Sequence, residues 1–218
     1  MFGLYTERLI TDRTNPATGP EPGKSTRERI LRSAKQLFAK NGYEHTSTSL
    51  IARQAGTSES QLMKHFGSKS GLLEAIFTTG WMTLAEQVNA ALENVANPFE
   101  KLQMISQFTI TFLDNDPEFR ILSLLEGRRI RKGGQTVILT PGFLRIMELV
   151  DTVLADIQRS GKLANNIRPE VIRSAMFGMM EGMLRDRLIA EQSAFPGNFS
   201  AAQVHNTLWL ALSAFMLQ

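Results

Sequence analysis

Apolar residues recur at helical spacing along most of the chain. Ile30, Ala34, Leu37 and Phe38 form one stripe, which predicts a helix from about Thr26 to Lys40. Asn41-Gly42 should end it, because both residues accept the left-handed conformation that closes a helix. Ile105, Phe108, Phe112 and Leu113 make a second stripe, and Val204, Leu208, Leu212 and Phe215 a third. Only Thr136-Val-Ile-Leu-Thr140 resembles a strand, and its glycine and proline neighbours favour a loop or a frayed helix end. Pro98, Pro117, Pro141, Pro169 and Pro196 punctuate the later chain. Proline is tolerated in the first helical turn and disfavoured inside, so a helix is expected to start near each one. The pattern predicts an all-α protein of about nine helices. Residues 1–24, with Pro16, Pro20 and Pro22, read as a flexible arm.

Two shorter helices are expected between residues 46 and 66. Hydroxyls from Thr46 to Ser49 offer N-caps for a helix from Thr48 or Ser49 to Ala55. Gly56 ends it, and Thr57 or Ser58 caps a second helix running to about His65. A helix pair joined by a short glycine turn is a helix-turn-helix. Its packing needs a small residue where the helices meet, a positive φ at the turn and an apolar residue facing inward. Ala52, Gly56 and Leu62 stand at those three places, with Ile51 and Ala55 completing the shared core.

Three stretches carry a family resemblance: Thr26-Arg-Glu-Arg-Ile-Leu with Leu37-Phe-Ala-Lys-Asn-Gly-Tyr-Glu-His-Thr-Ser, then Ile51-Ala with Ala55-Gly-Thr-Ser, then His65-Phe-Gly-Ser-Lys-Ser-Gly-Leu-Leu. Together they resemble the DNA-binding domain of the tetracycline-repressor (TetR/AcrR) family over about residues 25–80. The resemblance implies a homodimeric transcriptional regulator, usually a repressor, that leaves double-stranded operator DNA when a small molecule binds. Residues 81–218 would form the ligand-binding and dimerisation domain. Base contacts are expected from Ser58, Glu59, Ser60, Gln61 and Lys64 at the start of the second helix. Gln61 can pair bidentately with adenine. Glu59 either accepts from a cytosine amino group or serves as a first-turn acid favoured by the helix dipole. Thr48, Ser49, His65 and Lys69 are the expected phosphate contacts, though His65 can equally be a packed residue. The family usually carries two aromatics before His65-Phe66, where this chain has Met63 and Lys64. That departure puts one phosphate contact in doubt and keeps open a helical binding or scaffold protein without operator binding.

Charge adds to this picture. The whole chain is +3, but residues 1–70 hold 11 Lys and Arg against 6 Asp and Glu, leaving a mildly acidic remainder. An anionic partner for the first part is one explanation, and ordinary surface variation is the other. Arg8, Arg13 and Lys24 in the arm either reach a minor groove or stay solvated.

Downstream, residues 168–192 are rich in methionine. The apolar surface there is so wide that the helix should be buried on two sides. The family resemblance implies that this helix and the last, Ser200 to Leu217, pair with their twofold mates. Phe177, Gly178, Gly182, Leu184, Val204, Leu208, Leu212 and Phe215 are the interface expected on that basis. Ten methionines and 13 phenylalanines suit either a plain core or an adaptable cavity for a hydrophobic effector. Family resemblance favours a cavity, with Phe108, Phe112, Met147, Met176 and Met180 as its candidates and Arg120 or Arg128 as polar anchors.

Enzyme classes find little support. Gly23-Lys24-Ser25 lacks the upstream glycine of a phosphate loop, since Thr18 stands there. His45, His65 and His205 are scattered, without metal-ligand spacing, and no Gly-x-Ser-x-Gly elbow occurs. Neither a catalytic site nor a metal or cofactor is expected. Cysteine is absent, which excludes disulfides and thiol chemistry. Thr207–Leu217, the longest uncharged apolar run, is about half the ~20 residues of a membrane span, and the start of the chain lacks signal-peptide character. A cytoplasmic protein without membrane contact is the expectation.

Overall fold

The computed structural model describes residues 25–129, 139–163 and 166–214. Helices α1 (Thr26–Asn41), α2 (Thr48–Gln54), α3 (Glu59–Phe66) and α4 (Lys69–Leu92) come first. They are followed by α5 (Pro98–Asn115), α6 (Pro117–Leu122), a π-helical turn (Ser123–Gly127), α7 (Pro141–Arg159), α8 (Pro169–Ala190) and α9 (Ala201–Ser213). The arm with Arg8, Arg13 and Lys24 lies outside the described residues, as do most of Thr136–Thr140 and Phe215.

Local chemistry explains where these helices begin. Ser25 caps α1 in a capping box with Glu28, and Ser47, Ser58 and Ser68 cap the next three helices. Pro98, Pro117, Pro141 and Pro169 each occupy the first turn of a helix, where a missing N–H costs nothing. Pro196 departs from that expectation. It lies in the connection to α9, which starts instead behind the capping box of Ser200 and Gln203. Gly197 packs against the Asp186 carbonyl so closely that a Cβ would stand 2.5 Å from its oxygen, which holds this stretch as a loop.

α4 is the spine of the molecule. It starts beneath α3, packs on α1, and then lies along α5 and α7. Two glycines set how close its neighbours come. A Cβ on Gly142 would meet the Met82 backbone nitrogen at 2.4 Å, so α7 crosses α4 at backbone contact. A Cβ on Gly80 would meet the Phe119 ring at 2.4 Å, so α6 seats that ring in a notch of α4. Phe77, Trp81 and Phe119 are buried there, with ring centroids 5.5 to 5.7 Å apart around Phe119.

The last two helices correct a sequence expectation. Leu184, Val204, Leu208 and Leu212 are 0 to 2% exposed within the single chain, so they belong to its own core and not to an outer face. A stripe of large apolar residues is pulled toward the nearest apolar partner, and for α9 that partner is α5 and α8 of the same chain. The outward face instead carries Gly178 and Gly182, with open space above both, together with Val171 and Leu210.

Candidate nucleic-acid interface and effector cavity

The helix-turn-helix is built from its core outward. Ile51, Ala52, Ala55 and Leu62 are buried, and Gly56 turns the chain at φ +63°. The Thr57 N–H donates to the Ala52 carbonyl at 3.0 Å, and Arg29 of α1 donates to the Ala55 carbonyl at 3.1 Å. Thr46, buried beside the turn, donates its hydroxyl to the carbonyls of Gly42 and Leu37. With Leu62 fully buried, the opposite face of α3 points outward.

Ser58, Glu59, Ser60, Gln61, Lys64 and His65 are exposed on α3 as a result. Ser58 is the N-cap, its hydroxyl oxygen accepting from the Gln61 N–H at 3.2 Å. Thr48 donates its hydroxyl to the Glu59 carboxylate, so an expected phosphate contact and an expected base contact are bonded to each other. Ser49 is exposed, its hydroxyl 3.1 Å from that of Ser47. Lys69 opens α4 with its ammonium 4.4 Å from the Tyr43 ring centroid and 3.2 Å from the Glu44 carbonyl. Met63 is 42% exposed on the same surface, a large apolar side chain beside polar ones. Sequence reasoning missed Tyr43, whose role emerges only when the loop after α1 folds back over Lys69.

Farther from this head, a small half-open cavity of about 20 Å3 lies among α5, α7, α8 and α9. Ile105, Ser106, Thr109, Val150, Met176, Phe177, Met180 and Leu208 line it. The Ser106 and Thr109 hydroxyls donate to the carbonyls of Gln103 and Ile105, and the Ser106 oxygen also lies 3.3 Å from His205 Nδ1 of α9, so both hydroxyls are already engaged. Met176 and Met180 are the sequence candidates found here. Phe177 and Leu208, expected at a subunit interface, line the cavity instead. Phe108, Phe112 and Met147 are half-buried against the core but are not among the residues of this wall.

Neither arginine anchor reaches the wall. Arg120 is buried and gives its guanidinium to Glu191 at 2.7 Å and Asp114 at 3.2 Å, and Arg187 of α8 also holds Asp114. Arg128 is exposed beside Glu181 at 3.4 Å. Both are spent in ion pairs that fasten α6 and the π turn to α8. Among the described residues no group of three or more acidic or histidine side chains could hold a metal ion.

Residues 30–76 match the family described as bacterial regulatory proteins, tetR family, and residues 77–209 match the C-terminal region of YsiA-like proteins. The chain belongs to the TetR family of bacterial regulatory proteins. It is thereby a DNA-binding transcriptional regulator. This TetR-family chain is 26% identical over 198 residues to nucleoid occlusion factor SlmA of Vibrio atlanticus (strain LGP32), covering 86% of this chain and 94% of that one. It is 25% identical over 154 residues to the fatty acid metabolism regulator protein of Bacillus subtilis (strain 168), covering 70% and 78% respectively. In fold it is similar to the transcriptional regulator FadR from Bacillus subtilis in complex with stearoyl-CoA, with a TM-score of 0.77, 20% identity, and 87% and 99% of the two chains covered. Among the described residues no helix is long and apolar enough to cross a membrane.

Proposed function

We propose that this TetR-family regulator is a repressor released from its operator by a fatty-acyl effector. The observation that carries the reading is the cavity wall. Its two hydroxyls, on Ser106 and Thr109, are already bonded to α5 carbonyls and, for Ser106, to His205 of α9, which leaves methyl, thioether and ring surface for a ligand to meet. Such a wall suits a hydrocarbon chain and disfavours a sugar or a phosphate. The relatives named for fatty acid metabolism and for a stearoyl-CoA complex support the same chemistry.

Within this proposal residues 25–80 are the reading head and 81–218 the sensing and pairing part, acting in the cytoplasm. Two copies pair through the outer face of α8 and α9, where Gly178 and Gly182 admit close helix approach and Leu210 is 74% exposed. Pairing sets the two α3 helices about one DNA turn apart, ~34 Å. Ser58, Glu59, Ser60, Gln61 and Lys64 meet base edges, while Thr48, Ser49, His65 and Lys69 meet phosphates.

An acyl chain pressing on α8 would act on the head through the π turn. Arg185 of α8 donates to the Leu124 carbonyl in that turn at 2.6 Å. Beyond it Arg129 pairs with Glu44 of the head at 3.2 Å. A ligand that binds better when these elements are displaced shifts the population away from the DNA-binding spacing. Titrating the protein–operator complex with acyl-CoAs of increasing chain length, at fixed salt, tests the proposal. Release by long chains and not by free coenzyme A supports it, and indifference to all of them rejects it.

A further inference from the structure

We infer that in the ligand-bound protein the cavity continues past Phe177 and Phe143 to Trp81, and that the effector is an acyl chain carrying an oxygen along its length. This deepens the acyl reading above and rests on it. Phe177 lines the cavity, and its ring centroid lies 6.4 Å from that of Phe143. Phe143 in turn meets Trp81 edge-on at 5.1 Å. Three rings thus connect the cavity wall to the centre of α4.

Trp81 is 3% exposed, and its indole N–H finds no acceptor among the described residues. Buried indoles usually find a partner, and an unpaired donor in an apolar interior destabilises the state that contains it. Arg120 and Asp151 also keep one unpaired atom each, but their other polar atoms are bonded. Trp81 has no such alternative. Ser123, whose buried hydroxyl is likewise unpaired, follows by one helical turn the Phe119 ring that packs on Trp81.

The existing space is small for a ligand site, for which ~300–1,000 Å3 is usual. At about 20 Å3, room for little more than one water molecule, it must open widely to seat a long acyl chain. Met176 and Met180 can repack, and Phe177 is only half-buried, so the wall on the α8 side is the one able to yield. A hydrocarbon alone entering this way would leave the Trp81 donor unpaired. A hydroxyl or keto oxygen would accept from it and reward the displaced state of α4, α6 and α7.

Ricinoleoyl-CoA and oleoyl-CoA share a chain and differ by one mid-chain hydroxyl. Full-length protein with Trp209→Phe keeps a single indole, whose labelled N–H resonance reports on Trp81 alone. Ricinoleoyl-CoA is expected to bind ~10-fold more tightly, the scale of one buried hydrogen bond, and to shift that resonance downfield where oleoyl-CoA does not. Trp81→Phe should equalise the two ligands. Equal affinities with an unmoved resonance overturn this inference and leave the acyl reading standing. Failure of both ligands to bind removes the acyl reading and this inference with it.

Discussion

Lys35 Nζ lies 2.5 Å from Asp116 Oδ2, so a carboxylate at the start of α6 holds the first helix of the DNA-binding head. The other oxygen of Asp116 accepts from the Phe119 N–H at 3.0 Å and caps α6. One side chain thus fixes both the start of α6 and its grip on α1. Lys35→Ala should preserve operator affinity yet blunt release by effector, because it cuts one link between head and sensor. The half-exposed pair itself contributes under ~1 kcal/mol. Asp116→Ala should cost a further ~0.5–2 kcal/mol through the lost cap. Operator titrations with and without acyl-CoA, beside urea unfolding, separate the two effects.

Gln61 and Lys69 should behave differently on DNA. Gln61→Ala is expected to lose ~1–3 kcal/mol per half-site and to relax selectivity at one base pair. Lys69→Ala should weaken every sequence alike and reduce the salt slope by ~1. Anisotropy against operator and scrambled DNA at several salt concentrations checks both, and equal binding of the two DNAs by the wild type would defeat the first.

The outward glycines offer a test of pairing. Nothing lies within 4 Å of a Cβ on Gly178 or Gly182, so Gly178→Glu should leave the single chain folded. If α8 pairs with its twofold mate there, that variant becomes monomeric and loses operator binding while keeping its helical spectrum. Sedimentation and circular dichroism give the answer, and an unchanged dimer would move the interface elsewhere.

Backbone contact between α4 and α7 makes Gly142 intolerant. Gly142→Ala would place a methyl 2.4 Å from the Met82 nitrogen, and the helices must separate. A loss of ~1–3 kcal/mol or more is expected in chemical unfolding.

Burial raises the Asp151 carboxyl above its ordinary value of 3.8, against the pull of the Arg173 guanidinium. The folded protein therefore binds this proton more tightly than the unfolded chain does. Stability from this group rises as pH falls through the raised value toward 3.8, and is lost again as pH climbs back. Asp151→Asn removes that dependence. Wild type should gain on the variant during acidification over this window, as read from paired urea melts.

Local signals are legible in the residue pattern alone. The Ala52, Gly56 and Leu62 spacing, the serine caps and four proline-headed helices all depend on near neighbours, and each is where its chemistry placed it. Which side of α9 faces outward was not legible. Val204, Leu208 and Leu212 form the same stripe whether they meet α5 or a second molecule, and only the packed chain decides. The cavity was half legible for the same reason. Met176 and Met180 stood out by composition, whereas Ile105, Ser106, Thr109 and Val150 look like any core residues until helices distant in sequence converge. Arg120 misled because its partners Asp114 and Glu191 lie on three separate segments with it.

The bond from Thr48 to Glu59 bears on how the head searches. With α3 in a major groove as proposed, the exposed Glu59 carboxylate would repel phosphates and accept only from a base offering an amino hydrogen. Discrimination would then come as much from refusal as from recognition, with wrong sequences held loosely and quickly released until a site welcomes that acid.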